Sequence, residues 1–187
     1  MSKKVIGVFV GSLRRESYSQ SIANFVASQA PADFEFRTIP LGDLALYNQD
    51  LDDDGNPPAE WVKFREEVKG LDGFLFVTPE YNRSVPAVLK NALDVGSRPY
   101  GASVWDGKAG GVISVSPGGI GAFGANHHLR QSLVFLNVLT LQQPEAYVGH
   151  VGSSLDGNGN VVDESMKSFL KNYTDAFVKW VHTISGN

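Results

Sequence analysis

Three short apolar runs constrain this chain more than anything else in it: "KKVIGVFVG" (3–11), "FLFV" (74–77) and "KAGGVISVS" (108–116). Each is apolar at successive positions, not alternate ones, and too short for a buried helix. Such runs are expected of strands covered on both faces. Each also passes through a polar loop into a stretch of helical periodicity. "SYSQSIANFVASQA" (17–30) spaces Ile22, Phe25 and Val26 as a helix face, with Gln29 and Ala30 closing it. "SVPAVLKNALDV" (84–95) starts a helix with Ser84 as its cap and Pro86 in its first turn. "ANHHLRQSLVFLNV" (125–138) is a third helix.

The remaining segments fit the same alternation. "FEFRTIP" (34–40) alternates and ends at a proline, as a strand nearer the sheet edge does. Residues 49–58, "QDLDDDGNPP", read as a polar loop, and "AEWVKFREEVKGLD" (59–72) puts Trp61, Phe64, Arg65 and Val68 on one helix face. "TLQQPEAYVGH" (140–150) is a last strand interrupted at Pro144. In residues 163–186, Met166, Phe169, Leu170, Tyr173, Phe177, Trp180, Val181 and Ile184 form one stripe, with Asp163 to cap the start and Gly186 the end. Strands alternating with helices require a parallel sheet with both faces covered. Five strands and five helices predict a doubly wound α/β fold, flavodoxin-like, with sheet order 2-1-3-4-5. No repeat or linker divides residues 1–187, which read as a single domain.

Composition narrows the function. A net charge of −4 gives no footing to nucleic acid or an anionic membrane. The absence of cysteine removes disulfides, zinc–thiolate sites and thiol redox chemistry. No signal-like opening and no apolar run near the ~18 residues of a membrane span are present, so a cytoplasmic protein is expected.

In an open sheet of this order, ligands bind beyond the carboxyl ends of the strands where the order reverses. The loops there are the least ordinary stretches of the chain. "GSLRRESYSQ" (11–20) leads into a helix start, whose free amides and positive dipole end favour an anion. Ser12, Ser17 and Ser19 add hydroxyls, and Arg14 and Arg15 add guanidinium groups suited to phosphate. It is neither a Walker loop nor G-x-G-x-x-G, and its serines equally read as an ordinary helix cap. "TPEYNRS" (78–84) packs an acid, a phenol, an amide and a cation onto the tip of a buried strand, where Pro79 ends the ladder. "SVSPGGIGAFGAN" (114–126) crowds four glycines into one loop, where backbone can approach a ligand closely.

Other candidates fail on spacing. Asp50, Asp52, Asp54 and Gly55 begin like a calcium loop, but Glu60 falls one place short of the closing acid. "DGNGNVVDE" (156–164) misses its glycine, and both stretches read as solvated turns. His127 and His128 are adjacent and diverge by about 100° on a helix, so they do not chelate as a pair. No metal site and no catalytic nucleophile or indispensable acid–base residue is expected. The chemistry would then belong to a cofactor.

"GSLRRESYSQSIA", "TPEYNRSVPAVLKNALD" and "SVSPGGIGAFGANHHLRQSLVFLN" together closely resemble the NADPH-dependent FMN reductase family, nearest its quinone- and chromate-reductase branch. The resemblance runs from about residue 4 to about 150. It implies non-covalently bound FMN, NADPH or NADH as co-substrate, a quinone or similar small acceptor such as chromate or an azo compound, and a homodimer or homotetramer. Carried over by position, Ser12, Arg14, Ser17, Tyr18 and Ser19 would hold the flavin phosphate. Pro79, Glu80, Tyr81, Asn82, Arg83, Ser84, Ser116, Gly118 and Gly119 would line the isoalloxazine. Ser19 departs from an asparagine frequent in relatives, and Gly124 from an arginine common in the chromate-reducing branch. A second class of function, an FMN electron carrier without NAD(P)H oxidation, shares the fold. A carrier typically has a more acidic surface than a charge of −4 provides. A phosphate-binding domain without flavin is a third.

Overall fold

The structure, a computed structural model, describes residues 3–186. The chain runs β1 (Lys4–Val10), α1 (Tyr18–Ser28), β2 (Phe34–Thr38), α2 (Gln49–Asp53), α3 (Ala59–Lys69), β3 (Gly73–Thr78), α4 (Ala87–Gly96) and β4 (Ala109–Val115). It continues through α5 (Phe123–Phe135), β5 (Leu139–Thr140), β6 (Ala146–Val148), a 3₁₀ turn (Val151–Ser154) and α6 (Glu164–Ser185). All pairings are parallel, and the order is β2-β1-β3-β4-β5, with β6 also pairing β4.

The expected 2-1-3-4-5 order is present, with its last strand in two pieces either side of Pro144. β5 pairs the start of β4 (Ala109, Gly110) and β6 its end (Ile113–Val115). Because strand side chains alternate, the central strands feed two cores. Val8, Leu75 and Ile113 pack under α1 and α6 with Ile22, Val26, Leu170, Tyr173 and Phe177. Phe9, Phe74, Phe76 and Val112 pack under α3, α4 and α5 with Trp61, Leu89, Leu129 and Leu133. Trp105 anchors the second core, its ring 5.0–5.2 Å from those of Phe74 and Phe9, and its indole N–H donates to the Leu93 carbonyl (3.0 Å).

Two local expectations are corrected. Residues 49–58 are not all loop: Asn48 caps α2 through its side chain, and Asp52 meets Arg65 bidentately at 2.7 Å with both side chains largely buried. That pairing, not a solvated turn, fixes the acidic run. Ser84 does not cap α4, which begins after Pro86 with no side-chain cap. Its hydroxyl is 3.1 Å from Nδ1 of His128 instead. Ala92, Val95 and Val138 complete the second core.

Candidate flavin site

The loops after β1, β3 and β4 meet in one open groove of about 200 Å³. Its lining includes Ser12, Arg14, Ser17, Tyr18, Ser19, Pro79, Glu80, Tyr81 and Ser116, and adds Val115 and Pro117. A larger cavity, about 610 Å³ between α4 and α5, lies elsewhere and is lined by none of the residues of the β1, β3 and β4 loops.

One end of the groove is built by the start of α1. Ser17, extended at φ −83°, caps the helix by accepting from the Gln20 amide at 3.2 Å. Tyr18 and Ser19 line the groove here, and their amides, in the first turn of α1, have no intrahelical acceptor. Ser17 and Ser19 are buried there. Arg14 is held in place by donating Nε to the Glu16 carbonyl (2.8 Å), with a second donation from Nη2, and by lying over the Tyr18 ring at 5.0 Å. A guanidinium so fixed loses little further freedom on meeting an anion.

The β3 tip is a tight hairpin. Tyr81 and Ser84 exchange backbone hydrogen bonds (3.1 and 3.0 Å), and Asn82 and Arg83 adopt left-handed φ of +51° and +64° between them. Pro79, Glu80 and Tyr81 therefore face the groove, while Asn82 and Arg83 ride the exposed apex and Ser84 turns away to His128. Glu80 has a role that its position in the sequence does not announce. Ala122, the residue before α5, offers no side-chain acceptor. One carboxylate oxygen of Glu80 accepts from the Ala125 amide at 3.0 Å, and the other pairs with Arg83 at 3.2 Å. Glu80 is thus the N-terminal cap of a helix that begins 43 residues further on. Gly124 fits this contact: a Cβ there would lie 2.9 Å from the Arg83 carbonyl and 3.0 Å from the Glu80 carboxylate.

The β4 loop is stapled from below. Buried Asn126 donates to Ser114 Oγ (3.1 Å) and accepts from Arg130, while Ser114 donates to the Gly121 carbonyl (2.7 Å). Ser116 accepts from the Gly118 amide at 3.0 Å. Gly118 and Gly119 flank the groove and are not in its lining. They pack on the 148–151 segment, where His150 holds φ +49° and its ring nitrogen would meet a Cβ on Gly119 at 2.8 Å. His150 and the Ser114–Asn126 pair are the positioning residues that sequence reading missed. A lone histidine and a buried serine–asparagine pair carry no motif. His127 points elsewhere, 2.9 Å from the Tyr147 hydroxyl. That hydroxyl is 2.8 Å from Glu145, and burial followed by this contact pushes its pKa up to about 12.

A groove at the strand-order reversal of such a sheet places the chain among flavodoxin-like α/β proteins. Within them it belongs to the NADPH-dependent FMN reductase family, whose profile matches residues 4–153; it is an NAD(P)H-dependent oxidoreductase. It is 51% identical over 176 residues to a quinone reductase of Pseudomonas putida, covering 94% of each chain. It is 47% identical to a 2-hydroxy-1,4-benzoquinone reductase of Burkholderia sp, covering 94% of this chain and 95% of that one. Among solved structures, FerB, a flavoenzyme NAD(P)H:(acceptor) oxidoreductase from Paracoccus denitrificans, superposes with a TM-score of 0.89 at 37% identity, covering 96% of this chain and 98% of FerB.

The residues present fit FMN. Three hydroxyls, two free amides and a fixed guanidinium suit a phosphate dianion. Val115, Pro79 and Pro117 offer an apolar wall for a flat ring.

Proposed function

We propose that the protein transfers two electrons from NADPH or NADH to a quinone through non-covalently bound FMN, in the cytoplasm, as a homodimer or homotetramer. The balanced reaction is NAD(P)H + H⁺ + quinone giving NAD(P)⁺ + hydroquinone, the proton coming from solvent. Chromate and azo compounds are further acceptors of the same site. The observation that carries the reading is the convergence of a helix-start phosphate cradle and an apolar wall in one open groove.

FMN, when bound, supplies the two-electron chemistry. The chain's residues bind and orient. Arg14, Ser12, Ser17 and Ser19 hold the phosphate. Pro79 ends strand pairing, leaving backbone beyond it free for the polar edge of the ring. Tyr81, half exposed at the mouth, offers a face against which a flat ring can lie. A 200 Å³ groove is smaller than the ~300–1,000 Å³ of pockets that enclose a ligand of this size. Donor and acceptor therefore reach the same open mouth in turn, and ping-pong kinetics with parallel double-reciprocal lines are expected.

The test is an absorption spectrum of the purified protein before and after anaerobic NADPH or NADH. A flavin spectrum that bleaches at once, and returns on adding a benzoquinone, is the expected result. A flavin that is bound but not bleached by either nucleotide would favour the electron-carrier reading, and a colourless protein would remove both.

A further inference from the structure

The groove does not end at the phosphate cradle. Arg14, Ser17 and Tyr18 form a ridge that also borders a second cavity, of about 450 Å³. That volume lies within the ~300–1,000 Å³ range of small-molecule sites. One wall is α1, with Gln20, Ser21 and Asn24; the other is residues 155–159.

Both walls are held. Gln20 donates to Asn24 at 2.8 Å, which fixes the two carboxamides side by side. Across the cavity, Asp156 accepts from the Asn158 and Asn160 amides (2.9 and 2.8 Å) and from the Asn160 side chain (2.9 Å). Its carboxylate is turned into its own loop. Gly159, at φ +79°, approaches α1 so closely that a Cβ would lie 2.8 Å from Ser21 Oγ. The walls thus touch at Ser21 and part elsewhere.

The free chemistry of this space is distinctive. Arg15 lines it, is exposed, and takes part in none of the ion pairs among the described residues. Carboxamides donate and accept side by side, the pattern that matches the N6/N7 edge of adenine. A guanidinium matches phosphate. Glu16 and Asp156 are the acids among its lining residues.

We infer that this cavity is a subsite for the adenosine-phosphate half of the nicotinamide dinucleotide, with Asn24 and Asn158 on the adenine and Arg15 on the 2′-phosphate of NADPH. The inference rests on the NAD(P)H-oxidising reading above. It makes Arg15 a specificity residue distinct from Arg14, which serves the flavin.

The test uses FMN-loaded wild type, Arg15→Ala and Asn24→Ala. Calorimetric titration with 2′,5′-ADP and with 5′-AMP reads the subsite without turnover, and steady-state kinetics follow with NADPH and NADH. In Arg15→Ala, 2′,5′-ADP affinity is expected to fall about tenfold or more, as loss of a charge-assisted contact does. The KM for NADPH should rise alike, with kcat and FMN content held and the KM for NADH unmoved. Asn24→Ala should weaken 5′-AMP and raise both KM values. Unchanged 2′,5′-ADP affinity and KM in both variants would overturn the subsite, even with NADPH oxidation intact. If instead NADPH fails to reduce the wild type, the proposed activity falls, and the ADP titration still decides the subsite.

Discussion

Arg14 and Glu80 show how differently two residues of one site can be read. Arg14 stands in a loop whose serines and position before a helix read equally as an anion site and as an ordinary cap, and the structure adds what fixes the side chain, the Glu16 carbonyl and the Tyr18 ring. Arg14→Ala should lower FMN affinity roughly 10- to 100-fold, since a charge-assisted hydrogen bond contributes about 1.5–3 kcal/mol. Apoprotein titrated with FMN reads this directly, and an unchanged affinity would remove Arg14 from the phosphate site. Glu80 was legible only as an acid in the right loop. Its partner, the Ala125 amide, lies 45 positions on, and no local pattern links them. Glu80→Ala should lose about 1 kcal/mol, as loss of a helix cap does. In a domain of this size that lowers Tm by about 2–4 °C. Glu80→Gln, keeping an oxygen acceptor, should lose less. Flavin reduction by NADPH should survive Glu80→Gln, His127→Asn and His128→Asn, because hydride transfer needs no side-chain acid or base here. Loss of reduction with FMN still bound, in any of the three, would contradict that view.

At the scale of elements, the strands were the most legible part. Successive apolar positions mark a buried parallel strand however the rest of the chain folds, and β1, β3 and β4 fall where those runs do. Helix ends were legible where the cap is local, as at Ser17 and Asp163, and illegible where it is not. Ser84 has the right chemistry for capping α4 but is drawn into the 81–84 turn and toward His128. The helix α2 escaped notice because it is only five residues long and its strongest side-chain contact, Asp52 to Arg65, comes from the next helix. The Asp163 cap carries a pH prediction. Hydrogen bonds from the Ser165 hydroxyl and the Met166 amide hold its carboxyl below the usual carboxylate range. A carboxyl whose folded pKa is depressed stabilises the fold fully above its unfolded value and loses that contribution as pH falls through the folded one. Melting of wild type and Asp163→Ala should therefore differ at neutral pH and converge as pH falls through the acid range in which the carboxyl protonates. A gap of constant size through that range would show that the cap does not act as a charged group.

Assembly belongs to the whole molecule, and here the structure limits the apolar surface that could serve it. Ala92, Val95 and Val138 are consumed by the chain's own core and add nothing to the surface of the α4–α5 side. What remains is concentrated: Val134 and Phe135 are 72% and 81% exposed beside the 610 Å³ groove between α4 and α5. Lys90, Asp94, Arg98 and Gln131 give that groove a polar rim of both charge signs. A second copy related by a two-fold axis is the occupant we propose, since such an interface opposes one patch to itself and can cross-pair those charges. The same face reaches the flavin loops. His128 lines the groove and holds Ser84 at the end of the 81–84 turn, while α5 starts on the Glu80 carboxylate. A partner docked there would thus lean on both elements that wall the cofactor, giving two equivalent sites per dimer. Phe135→Glu should convert dimer or tetramer to monomer at micromolar concentration by light scattering. Because the proposed phosphate cradle lies wholly within one chain, FMN should remain bound, with affinity lowered and not lost. A wild type that is already monomeric, with FMN bound and NADPH oxidised at full rate, would refute the assembly and leave the single-chain site standing.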